Sequence, residues 1–427
     1  MRHVIVISED AMVFEDTETL KHLPNFGKIW DKAARVNRVR SIYPTITYPC
    51  HVSMMTGMYP DKHGVVNNER PIMCEKSSPW EFFASAVKVP TLFDKAHEAG
   101  MKTACIFWPV CAQSPSIDYL LAEYWPQHGE SVRQSYIDAG ASPDVIKIVD
   151  RYANLNVPRQ HPEADNFITM CAADIIREFK PQLLMLHPAN IDAYRHGTGV
   201  FSDKVTHGLH EIDVWLGDIM RACRDAGIYD DTDFFIVSDH GQLNISRSVS
   251  PNAMLAKHGL IDVDADGKIT DWRAFCKSAA LSSQVYLKDP NDKQAYDATY
   301  ALLSDMCKAG IYGISRVYTA EEAEREEHLK GGFSFVLESD GFSSFSNDWK
   351  GPYVRTLDNS DYRFGHATHG HQPDKGPQPT LIAFGPDIKE GAVVARASIV
   401  DEPVTVAKVL GLDLGDTDGK VIEGILK

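Results

Sequence analysis

The stretch VIVISED, residues 4–10, is a short apolar run that ends in two acids. Its apolar part shows no polar alternation, which is typical of a strand buried on both faces of a sheet. Four further runs of this kind occur, at residues 104–108, 183–186, 234–237 and 381–384, and helical stretches lie between them. The alternation predicts an α/β domain with a mostly parallel sheet sandwiched by helices.

Two of the predicted helices have clear ends. Residues 202–226 carry apolar side chains on one face, with Gly227 as a C-cap, and residues 90–100 begin at a proline and stop at a glycine.

Between residues 244 and 363 the sequence pattern changes. Strands are predicted at 285–287 and 333–337, and helices at 292–309 and 319–330. We therefore expect a catalytic domain formed by residues 1–243 and 364–427, with residues 244–363 inserted as a small α+β cap.

Composition restricts the classes of partner. The 427 residues carry a formal charge of -16, which argues against a nucleic-acid polymer as partner, because polyanions bind basic surfaces. A small anionic substrate stays possible, since bound metal ions reverse the local field. No apolar run approaches the ~20 residues that span a bilayer, and no signal peptide is visible, so we expect a cytoplasmic protein without a membrane partner. The eight cysteines are expected to be mostly buried free thiols, and the oligomeric state is left open.

Acidic residues follow three of the predicted strands. Asp10 follows the first, Asp192 follows the strand at 183–186, and Asp239 and His240 follow the strand at 234–237. The carboxyl ends of parallel strands meet at one crevice, where ligands bind. A single Asp after a strand is more often a helix N-cap, but three of them with adjacent histidines favour a metal site.

Histidines complete the candidate ligand set. Asp192 and His196 are four residues apart, so on a helical turn they share a face. His366, His369 and His371 form a cluster that indicates metal binding, with a solvated loop as the alternative. A mixture of nitrogen and oxygen ligands suits zinc better than magnesium.

A hydroxyl nucleophile is suggested by YPTITYPCH, residues 43–51, which precedes a helix-like stretch. A hydroxyl at a helix N-terminus meets free N–H groups and the positive end of the dipole, which suits an alkoxide and a phosphate. On these grounds Thr45 and Thr47 are equally plausible, and either one could simply cap the helix.

Six motifs in order give the sequence a family resemblance. They are PTITYP (44–49), TGMYP (56–60), HG (63–64), FWP (107–109), SDHG (238–241) and THG (368–370). In this order they resemble the nucleotide pyrophosphatase/phosphodiesterase group of the alkaline phosphatase superfamily. The resemblance implies an alkaline-phosphatase-like fold and a hydrolase that cleaves phosphodiester or pyrophosphate bonds of a small substrate through a phospho-threonine intermediate.

The resemblance also assigns roles to residues. It implies that Thr47 is the nucleophile and that Asn68 helps to bind the phosphoryl oxygens. It implies two divalent metal ions, expected to be zinc. One ion would be held by Asp192, His196 and His369, and the other by Asp10, Asp239, His240 and the Thr47 oxygen.

Departures from the family pattern leave the substrate open. His187 stands where many members have a tyrosine, and Tyr48 is expected either to stack on a base or to be a core aromatic. A phosphonoacetate-hydrolase-like enzyme, a phosphomonoesterase and, more distantly, an inactive metal-binding module are the alternatives. Residues 44–59 and 105–113 contain no Lys or Arg, and Tyr48 and Trp108 offer apolar surface, so diesters are expected over monoesters. Arg195 would reverse this expectation if it turned inward, but we expect it to point away.

Overall fold

The structure, a computed structural model, describes residues 2–357 and 365–427. Its strands, in chain order, are β1 (His3–Ser8), β2 (Ala34–Arg40), β3 (Thr103–Ile106), β4 (Tyr119–Leu121), β5 (Leu183–Leu186), β6 (Thr232–Val237), β7 (Leu243–Asn244), β8 (Arg247–Val249), β9 (Ile261–Val263), β10 (Ile269–Trp272), β11 (Ala274–Ala279), β12 (Ser282–Leu287), β13 (Ile314–Thr319), β14 (Phe335–Ser339), β15 (Ser343–Phe345), β16 (Val354–Arg355), β17 (Ala367–Thr368), β18 (Leu381–Phe384) and β19 (Val393–Ser398).

The α-helices are α1 (Thr17–Leu20), α2 (Phe26–Trp30), α3 (Thr47–Thr56), α4 (Pro60–His63), α5 (Leu92–Glu98), α6 (Val132–Asp138), α7 (Pro143–Arg151), α8 (Glu163–Phe179), α9 (Asn190–Thr198), α10 (Asp203–Ala226), α11 (Pro251–Lys257), α12 (Lys293–Ala309), α13 (Ala320–Glu327) and α14 (Asp401–Leu410). Among the described residues, no helix combines the length and the apolar character that crossing a membrane requires.

The large sheet has eight strands in the order β19-β2-β18-β6-β1-β5-β3-β4. Side chains alternate between its two faces along β1: Ile5 and Ile7 pack with α8 and α10, whereas Val4 and Val6 pack with α3, α5 and α14. Both faces are therefore covered by helices, and the predicted fold class is confirmed.

One predicted strand runs against the others. β18 is antiparallel to both of its neighbours, β6 and β2, whereas the other pairs in the large sheet are parallel. An apolar run shows that a strand is buried on both faces but carries no information about its direction.

The strands β2 and β19 were not predicted, because charged side chains interrupt their apolar positions.

The predicted insertion contains its own sheet. β11, β12, β14 and β13 form a four-stranded antiparallel sheet, with α12 and α13 packed against it. The predicted helix at 292–309 is α12, with Asp292 as its N-cap, and the helix at 319–330 is the shorter α13, capped by Thr319. At the predicted start of the insertion, β7 pairs with β17. The predicted end, at residues 363 and 364, lies outside the described residues, and the domain division stays a prediction.

Candidate active site

The three neighbouring strands β6, β1 and β5 deliver the predicted acidic residues to one edge of the sheet. Asp10 follows β1, and Asp239 follows β6, with both side chains buried. α9 begins four residues after β5 ends and carries Asp192 in its first turn. The convergence follows from topology, because adjacent parallel strands end on the same side of a sheet.

One group of candidate metal ligands forms around Asp192. Nε2 of His196 lies 3.3 Å from Oδ2 of Asp192, and Nε2 of His369 lies 3.8 Å from Oδ1 of the same carboxylate. The other ring nitrogen of His196, Nδ1, is 2.7 Å from the carbonyl oxygen of Ala367, which fixes the ring so that Nε2 faces Asp192. These three side chains could hold one metal ion.

A second group meets at Nε2 of His240. Oδ2 of Asp239 lies 3.2 Å from this atom, Oδ1 of Asp10 lies 3.6 Å from it, and Oγ1 of Thr47 lies 3.3 Å from it. Asp10, His240 and Asp192 also present ligand atoms within 4.8 Å of one another, so Asp192 lies between the two groups. The structure thus brings together all seven sequence-predicted metal ligands.

The donor set fits cations on two observations. Oδ1 of Asp10 and Oδ2 of Asp239 are buried without a hydrogen-bond partner in the described structure, which is costly for a carboxylate unless a cation neutralises it. Burial, together with repulsion from Asp192, raises the pKa of Asp10, and burial together with Asp10 raises the pKa of Asp239. A bound cation would remove this cost by favouring the ionised carboxylates.

His240 and His369 are held in the form that binds metals. Burial lowers the pKa of His369 to about 3, and burial and the neighbouring His369 lower the pKa of His240 well below its usual value. Burial opposes ionisation of Asp192, but His196 and then His369 outweigh it, so that the pKa of Asp192 is lowered. Neutral imidazoles beside an ionised carboxylate are the protonation states that a metal ion requires.

The two candidate threonines have different surroundings. Oγ1 of Thr45 donates to the carbonyl oxygen of His371 at 2.9 Å and accepts from the backbone N–H of Gly370 at 3.0 Å. Thr47 is the first residue of α3 and lines the cavity, with its hydroxyl beside His240. The hydroxyl of Thr45 is thus committed to the backbone, and that of Thr47 faces the candidate metal ligands.

Asn68 is oriented by the backbone of α3. The backbone N–H of Tyr48 donates to Oδ1 of Asn68 at 2.8 Å. Because a backbone N–H can only donate, the atom facing it must be the amide oxygen, which fixes the side-chain orientation. Nδ2 then has no acceptor within the described part of the chain, and Asn68 lines the same cavity as Thr47. Its amide is therefore free to donate to a ligand.

A cavity of about 440 Å³ contains the candidate site. It is large enough for a small organic ligand. Its wall includes Asp10, Thr47, Asn68, Asp192, His196 and His369, the aromatic residues Trp80, Phe107, Tyr124, Trp125 and Tyr136, and Ser248, Ser278, Phe345, Asn347 and Arg355 from the predicted insertion. Residues of the predicted insertion therefore border the same cavity as Thr47.

Neither Tyr48 nor Trp108 offers the cavity the apolar surface that a diester substituent was expected to contact. The ring of Tyr48 is fully buried in edge-to-face contacts with Trp80 and Phe82, so it is a core aromatic and offers no face for stacking on a base. Trp108 is also fully buried, and its Nε1 donates to the carbonyl oxygen of His51. Neither side chain lines the cavity, because both pack within the apolar cluster that also contains residues of α3.

Arg195 points away from the cavity. Its guanidinium is fully buried and pairs with the carboxylate of Asp16, and Nε donates to the carbonyl oxygen of Ala11 at 3.1 Å. Ala11 has a left-handed backbone, with φ of 60°, and its N–H donates to Oδ1 of Asp239 at 3.1 Å. Arg195 thus supports the turn that follows Asp10 rather than supplying a cation to the cavity.

The three clustered histidines, His366, His369 and His371, have different surroundings. His369 faces Asp192, as described above, whereas His371 is buried against Thr45 and His366 is exposed. Burial lowers the pKa of His371 to about 4. Only His369 of the three belongs to a candidate ligand group among the described residues.

Several cavity residues were missed by sequence reasoning. Glu123 and Trp125 follow the edge strand β4, and Arg159 lies with its guanidinium 5.1 Å from the ring centroid of Trp125. Burial raises the pKa of Glu123 to about 7. His187, which the sequence analysis did single out, also lines the cavity, with its Nε2 3.1 Å from Oδ2 of Asp10. One signal could have found Glu123 and Trp125. The short apolar run of β4 indicates a strand, and the residues that follow a parallel strand lie at the same edge of the sheet as the candidate site.

The sequence model of the type I phosphodiesterase / nucleotide pyrophosphatase family matches residues 4–371. The chain belongs to this family. The resemblance inferred from the ordered motifs is therefore confirmed. All seven candidate metal ligands and Asn68 lie inside the matched range.

Curated relatives share only part of their length with this chain. Ectonucleotide pyrophosphatase/phosphodiesterase family member 3 of Mus musculus is 23% identical over 250 residues, which cover 56% of this chain and 24% of the relative. The venom phosphodiesterase of Macrovipera lebetinus is 24% identical over 255 residues, which cover 57% of this chain and 26% of the relative. The aligned part thus spans about a quarter of each relative.

Solved structures share the fold along the full chain. Murine ectonucleotide pyrophosphatase / phosphodiesterase 5 matches with a TM-score of 0.68 and 19% identity, covering 99% of this chain and 100% of the other. An inactive form of that murine protein in complex with AMP matches with a TM-score of 0.68 and 18% identity, covering 100% of both chains. At these identities the likeness establishes the fold.

Proposed function

We propose that the protein hydrolyses phosphodiester or pyrophosphate bonds of small substrates, with Thr47 as the nucleophile. The observation that carries this proposal is the position of the Thr47 hydroxyl, 3.3 Å from Nε2 of His240 and at the start of α3. Membership of the type I phosphodiesterase / nucleotide pyrophosphatase family supports the same reaction class.

Two zinc ions are the proposed cofactors. Asp192, His196 and His369 would hold one ion. Asp10, Asp239, His240 and the Thr47 oxygen would hold the other. When bound, the ions would supply Lewis acidity that lowers the pKa of the Thr47 hydroxyl and offsets the charge on the phosphoryl group. The mixed nitrogen and oxygen donors support zinc over magnesium.

Phosphoryl transfer uses Thr47, Asn68 and the start of α3. Oγ1 of Thr47 loses its proton to water and forms a bond to phosphorus, while the bond from phosphorus to the leaving-group oxygen breaks and the leaving group departs with the electron pair. Nδ2 of Asn68 donates to a non-bridging oxygen, and the backbone N–H of Thr47, the first residue of α3, is placed to donate to another. Water then cleaves the Thr47 ester and regenerates the hydroxyl.

The second substituent of a diester would lie against the aromatic side of the cavity. Trp80 and Trp125 line this side of the cavity, and the guanidinium of Arg159 lies close to both indole rings. An aromatic wall beside a cation suits a base or another flat, partly anionic group. The AMP complex of the murine relative supports a nucleotide-like substrate.

We also propose a cytoplasmic location, which the free cysteine thiols support. All eight cysteines are free, and six of them are buried. Free buried thiols suit a reducing compartment, whereas disulfides are common in oxidising ones. Fractionation of cells that express the native gene tests this proposal, and recovery outside the cytoplasm would contradict it.

The proposed function is tested with zinc-loaded protein and a panel of matched aryl phosphate diesters, monoesters and phosphonates, together with dinucleotides. We expect the highest kcat/KM for diesters or pyrophosphates and loss of turnover in Thr47→Ala. A monoester or phosphonate preference would move the protein to the alternative enzyme classes. Zinc binding without turnover of any member would favour a binding module.

A further inference from the structure

Asn68 lies on a segment, residues 66–69, that is bound on both sides by the predicted insertion. We call these four residues the Asn68 segment. Buried polar side chains of β11 and β12 contact the residues immediately before and after Asn68. The insertion therefore touches the candidate phosphoryl-binding group through its neighbours.

Gln284 of β12 holds the residues before Asn68. Its Nε2 donates to the carbonyl oxygen of Val66 at 2.7 Å, and its Oε1 accepts from Nδ2 of Asn67 at 3.3 Å. Oε1 also accepts from the hydroxyl of Tyr286 at 3.2 Å. Gln284 is only 1% exposed, so these hydrogen bonds are shielded from water and replacing one partner leaves a buried group unsatisfied.

Lys277 of β11 holds the residue after Asn68. Its Nζ lies 3.5 Å from Oε2 of Glu69 and donates to the hydroxyl of Ser78 at 2.9 Å. The backbone N–H of Ser78 donates to the same Glu69 oxygen at 3.0 Å. Lys277 is 1% exposed, and a charge buried to that extent requires a partner, so the pair ties Glu69 to the insertion.

Asn68 itself makes contacts with the core. Its Oδ1 accepts from the N–H of Tyr48 at 2.8 Å, and its carbonyl oxygen accepts from the N–H of Glu81 at 2.8 Å. The first bond sets the rotation of the side chain, and the second holds the backbone of Asn68 at its carbonyl oxygen. The insertion holds the residues on either side. Since displacements of about 1 Å at a reacting group can cost about 100-fold in rate, the flanking contacts matter for catalysis.

We propose that Gln284 and Lys277 are positioning residues that hold Nδ2 of Asn68 against the phosphoryl oxygens. The insertion then acts in catalysis by fixing the Asn68 segment, in addition to lining the cavity. This inference rests on the proposed function, because it assumes that Asn68 binds the phosphoryl group.

The test is a double-mutant cycle with zinc-loaded protein and an aryl phosphodiester. Gln284→Leu in the wild type should lower kcat about tenfold, with KM changed less than about twofold, since transition-state binding is lost. In the Asn68→Ala background the same change should lower kcat less than about twofold, because the group being positioned is absent. Zinc content should stay the same in all four proteins.

Lys277 provides an independent arm of the test. Lys277→Met should lower kcat as Gln284→Leu does, and Lys277→Arg, which keeps the charge beside Glu69, should restore most of it. Should Gln284→Leu fail to fold, the pair Lys277→Met and Lys277→Arg still decides the question. Equal loss of kcat in Lys277→Met and Lys277→Arg would contradict the positioning role.

Leu303 is the control within the insertion. It is a fully buried side chain of α12 that belongs to the apolar cluster of the insertion and does not line the cavity. Leu303→Ala should lower Tm at least as much as Gln284→Leu does and leave kcat unchanged. The inference is overturned if Gln284→Leu leaves kcat unchanged, or lowers it equally with and without Asn68. Wild-type protein without diester turnover would contradict the proposed function, and with it the inference, before any variant is compared.

Discussion

The hydroxyl oxygen of Thr47 lies 3.3 Å from Nε2 of His240, where the side chains of Asp10 and Asp239 also meet. Thr47 begins α3, so its position is fixed by a helix whose ten residues are all buried. The nucleophile candidate and the metal-ligand candidates are thus held by packed elements rather than by surface loops.

Thr47→Ala should lower kcat for an aryl phosphodiester by at least about 1,000-fold, because the covalent route is lost. Thr45→Ala should cost far less in kcat, since the Thr45 hydroxyl bonds only the His371 segment. Steady-state kinetics on both variants provide the measurement, with zinc content as the control for site integrity. A larger loss in Thr45→Ala would mean that the nucleophile is two residues earlier.

Metal content should follow the two ligand groups. Wild-type protein should bind about two zinc ions per chain, and chelation should abolish activity until zinc is returned. His369→Ala should retain about one ion, because one of three side chains in its group is lost. The exposed His366 provides the matched control, and His366→Ala should retain both ions. Elemental analysis after dialysis measures the content; full retention in His369→Ala would contradict this grouping.

Trp125→Ala should raise KM for aryl and nucleotide diesters more than for a dimethyl-type diester. The indole offers stacking area to a flat substituent, and base–aromatic stacking is worth about 1–3 kcal/mol. Arg159→Met should have a similar effect where the substituent carries a negative charge. KM values for the matched substrates give the measurement. Equal changes for flat and small substituents would place the second substituent elsewhere.

Arg195→Met should destabilise the protein without changing its choice between monoesters and diesters. The guanidinium pairs with Asp16 in the interior, and breaking such a pair costs about 3–5 kcal/mol. The measurements are the urea midpoint and the ratio of kcat/KM for matched aryl mono- and diesters. Adding Asp16→Asn, which removes the stranded charge, should recover part of the stability. A monoester preference in the wild type that disappears in Arg195→Met would contradict the observed orientation.

His63 should make folding stability fall as the pH is lowered. Its Nδ1 accepts from the N–H of Val65, so Nε2 carries the proton shared with Ser53, and burial lowers its pKa to about 3. The unfolded imidazole has a pKa near 6.5, so below that value the unfolded state binds more protons and gains stability relative to the folded state. The effect begins near pH 6.5 and extends down to the folded-state pKa.

The measurement is the free energy of unfolding of zinc-free protein at pH 7 and pH 5. The loss between these values should be about 2 kcal/mol smaller in His63→Gln than in the wild type, which is one proton over about 1.5 pH units. The exposed His97 serves as control, and His97→Gln should keep the wild-type loss. An unchanged loss in His63→Gln would mean that His63 protonates within the folded protein.

The meeting of the three acids could be predicted because it depends on topology. Asp10, Asp192 and Asp239 follow strands that turn out to be adjacent, so the carboxyl ends bring them together whatever the side-chain details. The choice of His369 among the three clustered histidines, and the division into two ligand groups, came from the family resemblance. His369 follows β17, which pairs with β7 shortly after His240, a pairing that no short-range pattern predicts.

The residues that line the substrate part of the cavity could not be predicted, because their positions depend on packing between distant segments. Trp108 was expected at the cavity and Tyr48 was left open between the cavity and the core, but both are buried in the core, and Trp80 and Trp125 line the cavity instead. The choice between Thr45 and Thr47 also needed the family resemblance, since both hydroxyls precede the same helix. Amphipathic aromatic residues suit a core and a ligand wall equally well, so only three-dimensional contacts separate the two.

Mass spectrometry of the peptide that contains Thr47 tests covalent transfer to its hydroxyl. Zinc-loaded protein is mixed with excess aryl phosphodiester, quenched in acid while leaving group is being released, and digested. We predict that the peptide carries the remaining phosphoryl ester on Thr47, and that the adduct is absent from Thr47→Ala. Full turnover with an unmodified Thr47, or an adduct on Thr45, would contradict the account.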